Sequence, residues 1–159
     1  MSDMLVKLYE LPDDSFLLAR LQDDGIKISR AMAPDKFRVL PWVKEQAGLS
    51  AAGECDVSFS NKPVSCFIAT VDTDIIGYAC YDATCKNFFG PTLVSDAYRG
   101  KGLGKALLLR CLRAMFAQGY AYAIIGGVGP AKFYERCVGA FIIPGSAPGI
   151  YTDFLGRKQ

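Results

Sequence analysis

The segment Tyr98-Arg99-Gly100-Lys101-Gly102-Leu103-Gly104-Lys105-Ala106 constrains this chain more than any other part of it. An apolar run ends just before it at Val94, and an apolar helical pattern continues after it to about Phe116. A strand, a turn with three glycines in five residues and a helix start follow one another here. The first N–H groups of a helix lack intrahelical partners, and the macrodipole places about half a positive charge beside them. Glycine permits positive φ and keeps a Cβ out of the path of an approaching phosphate. Arg99, Lys101 and Lys105 add formal charge of the same sign. The segment reads as a site for a phosphate-bearing ligand.

Spacing removes two ligand classes. Gly100, Gly102 and Gly104 run as G-x-G-x-G, whereas a dinucleotide turn needs G-x-G-x-x-G. A P-loop needs a glycine where Arg99 stands and a hydroxyl where Ala106 stands. A second segment, Pro130-Ala131-Lys132-Phe133-Tyr134-Glu135-Arg136-Cys137-Val138-Gly139-Ala140-Phe141, reads as a short helix. Proline suits its first position, and Gly139 suits its stop.

Together the two segments resemble the GNAT superfamily of N-acetyltransferases, over roughly residues 75–141. Arg99, Gly102 and Gly104 match that superfamily's pyrophosphate loop, Arg/Gln-x-x-Gly-x-Gly/Ala, after a strand ending Thr92-Leu93-Val94. The later segment is similar to its helix carrying Tyr-Glu-Lys/Arg and ending in Gly-Phe. Two positions depart from the pattern. Gly129 stands where an Asn often touches the coenzyme, and the ending is stretched to Gly139-Ala140-Phe141.

The resemblance implies a single α/β domain with a mixed, mostly antiparallel twisted sheet, helices on both faces and a splayed pair of parallel strands. It implies direct transfer of an acetyl group from acetyl-coenzyme A to a primary amine in a ternary complex, with no metal. The backbone at Thr92, Leu93 and Val94 would hold pantetheine and supply the oxyanion donor. Arg99, Gly100, Lys101, Gly102, Leu103, Gly104 and Lys105 would hold the pyrophosphate, and Tyr134 would protonate the departing thiolate. The acceptor, a small-molecule or peptide amine, is not identified by the resemblance. Nor is the general base: with no histidine, the carboxylates Glu54, Asp56 and Asp82 are candidates, each also readable as an ordinary surface acid. An idle acyl-coenzyme A sensor or interaction module stays open as the alternative.

Composition agrees with a compact enzyme. A chain of 159 residues, 51% of them hydrophobic, is long enough for one domain with a real core and too apolar for disorder. No apolar run reaches the ~18 residues of a membrane helix, and no basic-then-apolar leader opens the chain. A net charge of +2 gives no ground for nucleic acid as a partner. Six cysteines without a C-x-x-C pair or any histidine read as reduced thiols of a cytoplasmic protein rather than a zinc site. The absence of histidine also excludes a Ser-His-Asp triad.

The remaining pattern alternates strands and helices. Strands are expected at 4–9, 26–30, 64–71, 75–81, 87–94, 120–125, 141–143 and 149–155, with Asp72-Thr73-Asp74 as a tight hairpin. Helices are expected at 15–22, 34–46, 102–118 and from Pro130. Residues 49–63, rich in Gly, Ser, Asn and Pro without a clear period, read as a loop. Gly90-Pro91 should make its strand bulge or part from a neighbour. Helix 102–118 is apolar nearly all round and needs cover from the sheet and from a further element or a second subunit, so a homodimer stays open. Residues 1–25 read as a βα addition ahead of a core beginning near Ile26.

Overall fold

The apolar runs assemble into one seven-stranded sheet in a computed structural model that describes residues 1–152, 154 and 155. Its strands are β1 (Met4–Lys7), β2 (Ile26–Arg30), β3 (Cys66–Val71), β4 (Asp74–Tyr81), β5 (Phe88–Val94), β6 (Tyr122–Ile125) and β7 (Phe141–Ile142). In space they run β2-β3-β4-β5-β6-β1-β7. Every pairing is antiparallel except β5 with β6. Five helices complete the single α/β domain: α1 (Ser15–Asp23), α2 (Lys36–Ala47), α3 (Leu49–Ser60), α4 (Leu103–Ala117) and α5 (Ala131–Val138). None of the described helices is long and apolar enough to cross a membrane.

Side chains on β3 and β4 alternate between two cores, as the period of a strand requires. Phe67, Ala69, Ala79 and Tyr81 face the cluster built around α4. Cys66, Ile68, Tyr78 and Cys80 face the cluster beneath α2 and α3. Burial on both faces explains why these strands are apolar at successive positions. Helix α4 is enclosed by the sheet on one side and by α1 and the turn after β1 on the other. Leu107, Leu108, Leu109 and Leu112 all have no exposed surface. The cover that its apolar circumference demands comes from within the chain.

Strands β5 and β6 pair only at Phe88↔Ile124 and Phe89↔Ile125. Beyond those residues β5 continues to Val94 beside β4, with a register shift near Ala79, and leaves β6 behind. The expected parting at Gly90-Pro91 is therefore present. It opens a gap in the middle of the sheet.

Three expectations are corrected. Residues 49–63 do not form a loop: 49–60 are the helix α3. Gly53 and the serines lower helix propensity, but Cys55, Ser58 and Phe59 share one buried face against the sheet, and packing outweighs the intrinsic preference. Residues 149–152 form a 3₁₀ turn rather than the start of a strand, led by Gly149 at φ +68°. Asp153 in that same expectation lies outside the described residues. The first strand is also shorter than read, since Leu8–Glu10 tighten into a 3₁₀ turn.

Candidate active site

The glycine segment folds as its chemistry demands. Gly100 and Gly102 have φ of +79° and +85°, and Gly102 is the residue before the first turn of α4. No side chain caps that helix. The Arg20 guanidinium of α1 donates to the Lys101 carbonyl at 2.9 Å and fixes the turn from behind. A Cβ at Gly102 would lie 2.7 Å from Leu17 Cδ1, so that side chain would have to shift to admit one. Gly104 differs: its φ is ordinary and a Cβ would meet only Phe133 and Val94 at contact distance.

Beside this turn lies a cavity of about 530 Å³. Of the residues expected at the site, Thr92, Leu93, Val94, Arg99, Gly100, Gly102, Leu103, Gly104, Lys105 and Tyr134 line it. Lys101 does not; its ammonium sits 5.4 Å from the centre of the Tyr98 ring. Leu103 is 1% exposed, so its side chain belongs to the core. Arg99 is exposed, pairs with Asp96 at 3.0 Å and donates to the Val94 carbonyl at 3.4 Å. Along 90–94, β5 has no strand partner on its β6 side, which leaves backbone groups available in the gap.

A second cavity of about 620 Å³ adjoins the splayed strands. Its walls come from Phe89 to Thr92, from the turn 126–129, and from Glu54, Thr84, Tyr151 and Phe154. Tyr134, Phe89, Thr92 and Pro130 line both cavities, so the two meet at those residues.

Tyr134 is held in place by its ring. It is 7% exposed and packs edge-on against Phe89 at 6.3 Å and Phe133 at 5.0 Å. Burial, with a smaller contribution from nearby Cys137, pushes its phenol above the usual range, so it remains protonated at neutral pH. Such a group can donate a proton or a hydrogen bond to an anion formed beside it.

Of the three candidate carboxylates, one lines either of these two cavities. Glu54 lines the larger one and accepts a hydrogen bond from the Thr84 hydroxyl. Asp56 instead pairs with Lys36 at 2.6 Å, and Asp82 secures the loop before β5 by accepting from the Asn87 N–H and the Tyr120 hydroxyl. Thr84, Tyr151 and the glycines at 126–129 have no counterpart in the expected site. Three glycines among residues 126–129 mark a turn in the sequence, whereas nothing there marks Thr84 or Tyr151. Asp3 shapes this wall from below: 8% exposed, its carboxylate accepts the Gly127 N–H at 2.8 Å.

Among the described residues, the buried thiols of Cys55, Cys66 and Cys80 lie within 4.8 Å of one another, a grouping that could ligate a metal. None of the three lines either cavity.

Residues 30–140 match the model of the acetyltransferase (GNAT) family. No curated protein matches the chain. Among solved structures, similarity extends to a GCN5-related glucosamine N-acetyltransferase region of a fungal multi-domain GH3 β-N-acetylglucosaminidase, with 11% identity and a TM-score of 0.71 over 89% of this chain and 19% of that one. A GCN5-related N-acetyltransferase from Sphaerobacter thermophilus aligns with 19% identity and a TM-score of 0.64 over 89% of this chain and 48% of its own. Another from Kribbella flavida gives 15% identity and 0.61, over 89% and 53%. At these identities the likeness concerns the fold, and the chain spans about half or less of the length of each of them.

Proposed function

The chain belongs to the acetyltransferase (GNAT) family, and we propose that it transfers an acetyl group from acetyl-coenzyme A to a primary amine, each substrate entering through its own cavity beside the splayed strands. The observation that carries this reading is the junction of the two cavities at Tyr134. The uncapped start of α4, with two positive-φ glycines before it, suits a pyrophosphate. A pantetheine arm would then run along the unpaired edge of β5 and bring the thioester to Tyr134. The amine would come through the larger cavity.

The chemistry follows from that placement. An alkylammonium must first lose a proton, to water or to a carboxylate such as Glu54. The nitrogen lone pair attacks the thioester carbon and a C–N bond forms as the carbonyl π electrons move onto oxygen. Backbone N–H groups along 92–94, whose residues line the coenzyme cavity, would supply the donors that oxyanion needs. As the carbonyl re-forms, the C–S bond breaks and sulfur leaves with the bonding pair. The Tyr134 phenol supplies a proton to sulfur and recovers one from the nitrogen, directly or through water. Two protons leave the ammonium; one ends on the thiol and one in solvent. Holding both reactants at one junction supplies much of the rate, since well-oriented neighbours react as one molecule.

Calorimetric titration with coenzyme A, followed by thiol release from acetyl-coenzyme A against an amine panel, tests the proposal. Binding with amine-dependent thiol release is expected. Binding without release for any amine would leave an idle acyl-coenzyme A sensor, and no binding would remove the coenzyme site.

A further inference from the structure

The acceptor cavity carries one charged side chain among the described residues, Glu54. It is half-buried, takes the Thr84 hydroxyl on Oε1 and forms an ion pair with none of the described lysines or arginines. Asp3, beneath the 126–129 turn, is negative as well. Burial raises the Tyr151 phenol above its ordinary range, and the neighbouring Glu54 and, less strongly, Asp3 push it the same way. The coenzyme cavity has the opposite character, with Arg99 and Lys105 on its walls. Around Glu54 the surface is aromatic and apolar: Phe89, Pro91, Tyr134, Tyr151 and Phe154.

These features select by charge. An ammonium leaving water needs a compensating anion, and one carboxylate with an oxygen to spare serves one cation. Aromatic faces add to the attraction and accommodate an apolar body. A second cation on the same acceptor finds no partner there. An acceptor carboxylate meets two like charges and no described arginine or lysine on the wall; the amino terminus of Met1, which also lines it, is 76% exposed and its charge is screened by water.

Building on the transfer reaction proposed above, we infer that the acceptor is a small monoamine with an uncharged, apolar or aromatic body, its ammonium recognised by Glu54. Free amino acids and polyamines are discriminated against.

The test is a steady-state comparison of 2-phenylethylamine, phenylalaninamide, phenylalanine and spermidine with acetyl-coenzyme A. Phenylalaninamide separates charge from size, because it keeps the bulk of phenylalanine and loses its carboxylate. The kcat/KM values for 2-phenylethylamine and phenylalaninamide should exceed those for phenylalanine and spermidine by about tenfold or more. Glu54→Gln should raise KM for 2-phenylethylamine by a similar factor, with a smaller change in kcat, and narrow the preference over phenylalanine. Phenylalanine or spermidine used as well as the monoamines would overturn the inference. So would Glu54→Gln with unchanged KM and selectivity, or no transfer to either monoamine by protein that binds acetyl-coenzyme A. Calorimetry with acetyl-coenzyme A on the same samples keeps the two levels apart, because failure there strikes the acetyltransferase reading itself. The wild-type panel decides the matter even if Glu54→Gln does not fold.

Discussion

At Tyr134 one ring does two jobs that substitution can separate. Its edges pack on Phe89 and Phe133, while its hydroxyl makes no hydrogen bond to any described residue and stays protonated because it is buried. Tyr134→Phe keeps the packing and removes the proton donor. We expect kcat to fall by about 10² to 10⁴-fold, the range of general-acid contributions, with coenzyme A affinity little changed; full turnover with the variant would reduce the tyrosine to a packing residue. The glycine turn allows a similar separation. Gly104→Val adds bulk at ordinary φ where neighbours are only in contact range, so the fold should survive while the cavity loses room. Coenzyme A binding in calorimetry should weaken about tenfold or more, the worth of a lost charge-assisted hydrogen bond. Lys101→Ala, whose ammonium lies over Tyr98 outside the cavity wall, should have a much smaller effect. Equal small losses from both would count against the turn as the site.

Among the elements, β1 and α1 support more of the molecule than their place at the start of the sequence suggests. Strand β1 lies between β6 and β7, and Met4 and Val6 have no exposed surface. The Val128 N–H donates to the Ser2 carbonyl and Gly127 to the Asp3 carboxylate, so the wall of the larger cavity rests on the N-terminal segment. On the other side, α1 holds the glycine turn through Arg20, and Asp14 at its start pairs with Arg113 of α4 at 3.1 Å. A chain beginning at Ile26 is therefore expected to lose solubility and coenzyme A binding. A soluble truncated protein that titrates normally with coenzyme A would support a core starting at that residue.

What the sequence conveyed at this scale follows its physics. The α4 turn was legible because glycine spacing and helix-terminus chemistry are local. The β3 and β4 strands were legible because burial on both faces leaves long apolar runs. Helix α3 was not, since its evidence is a buried face formed only against the sheet. Nor was the acceptor wall, where Glu54, Thr84 and Tyr151 are thirty or more residues apart and meet only through the topology.

For the whole molecule, the cysteines give a measurable signature. Burial pushes the thiols of Cys80 and Cys111 well above their ordinary value of 9.0. In the unfolded chain they ionise near that value, while in the folded protein they hold their protons. Their contribution to stability is complete below about pH 9 and is lost as pH rises above it toward the folded values, with about 1.4 kcal/mol per pH unit for each thiol. The melting temperature should decline above pH 9 at constant ionic strength. Cys111→Ala should start lower, from the cavity it creates, and decline less steeply. Parallel pH profiles for both proteins would show that Cys111 is not a source of the slope.

The two-residue contact between β5 and β6 also has a mechanical meaning. The sheet amounts to two plates, β2 to β5 and β6-β1-β7, riveted at Phe88–Ile124 and Phe89–Ile125. Whatever fills the gap touches both plates and acts as a clamp across the rivet. The amides of Phe88 and Ile124, which bond to Cys85 and Asn87 at this seam, should then exchange with solvent more slowly when coenzyme A is added, while those at the β2–β3 edge keep their rates.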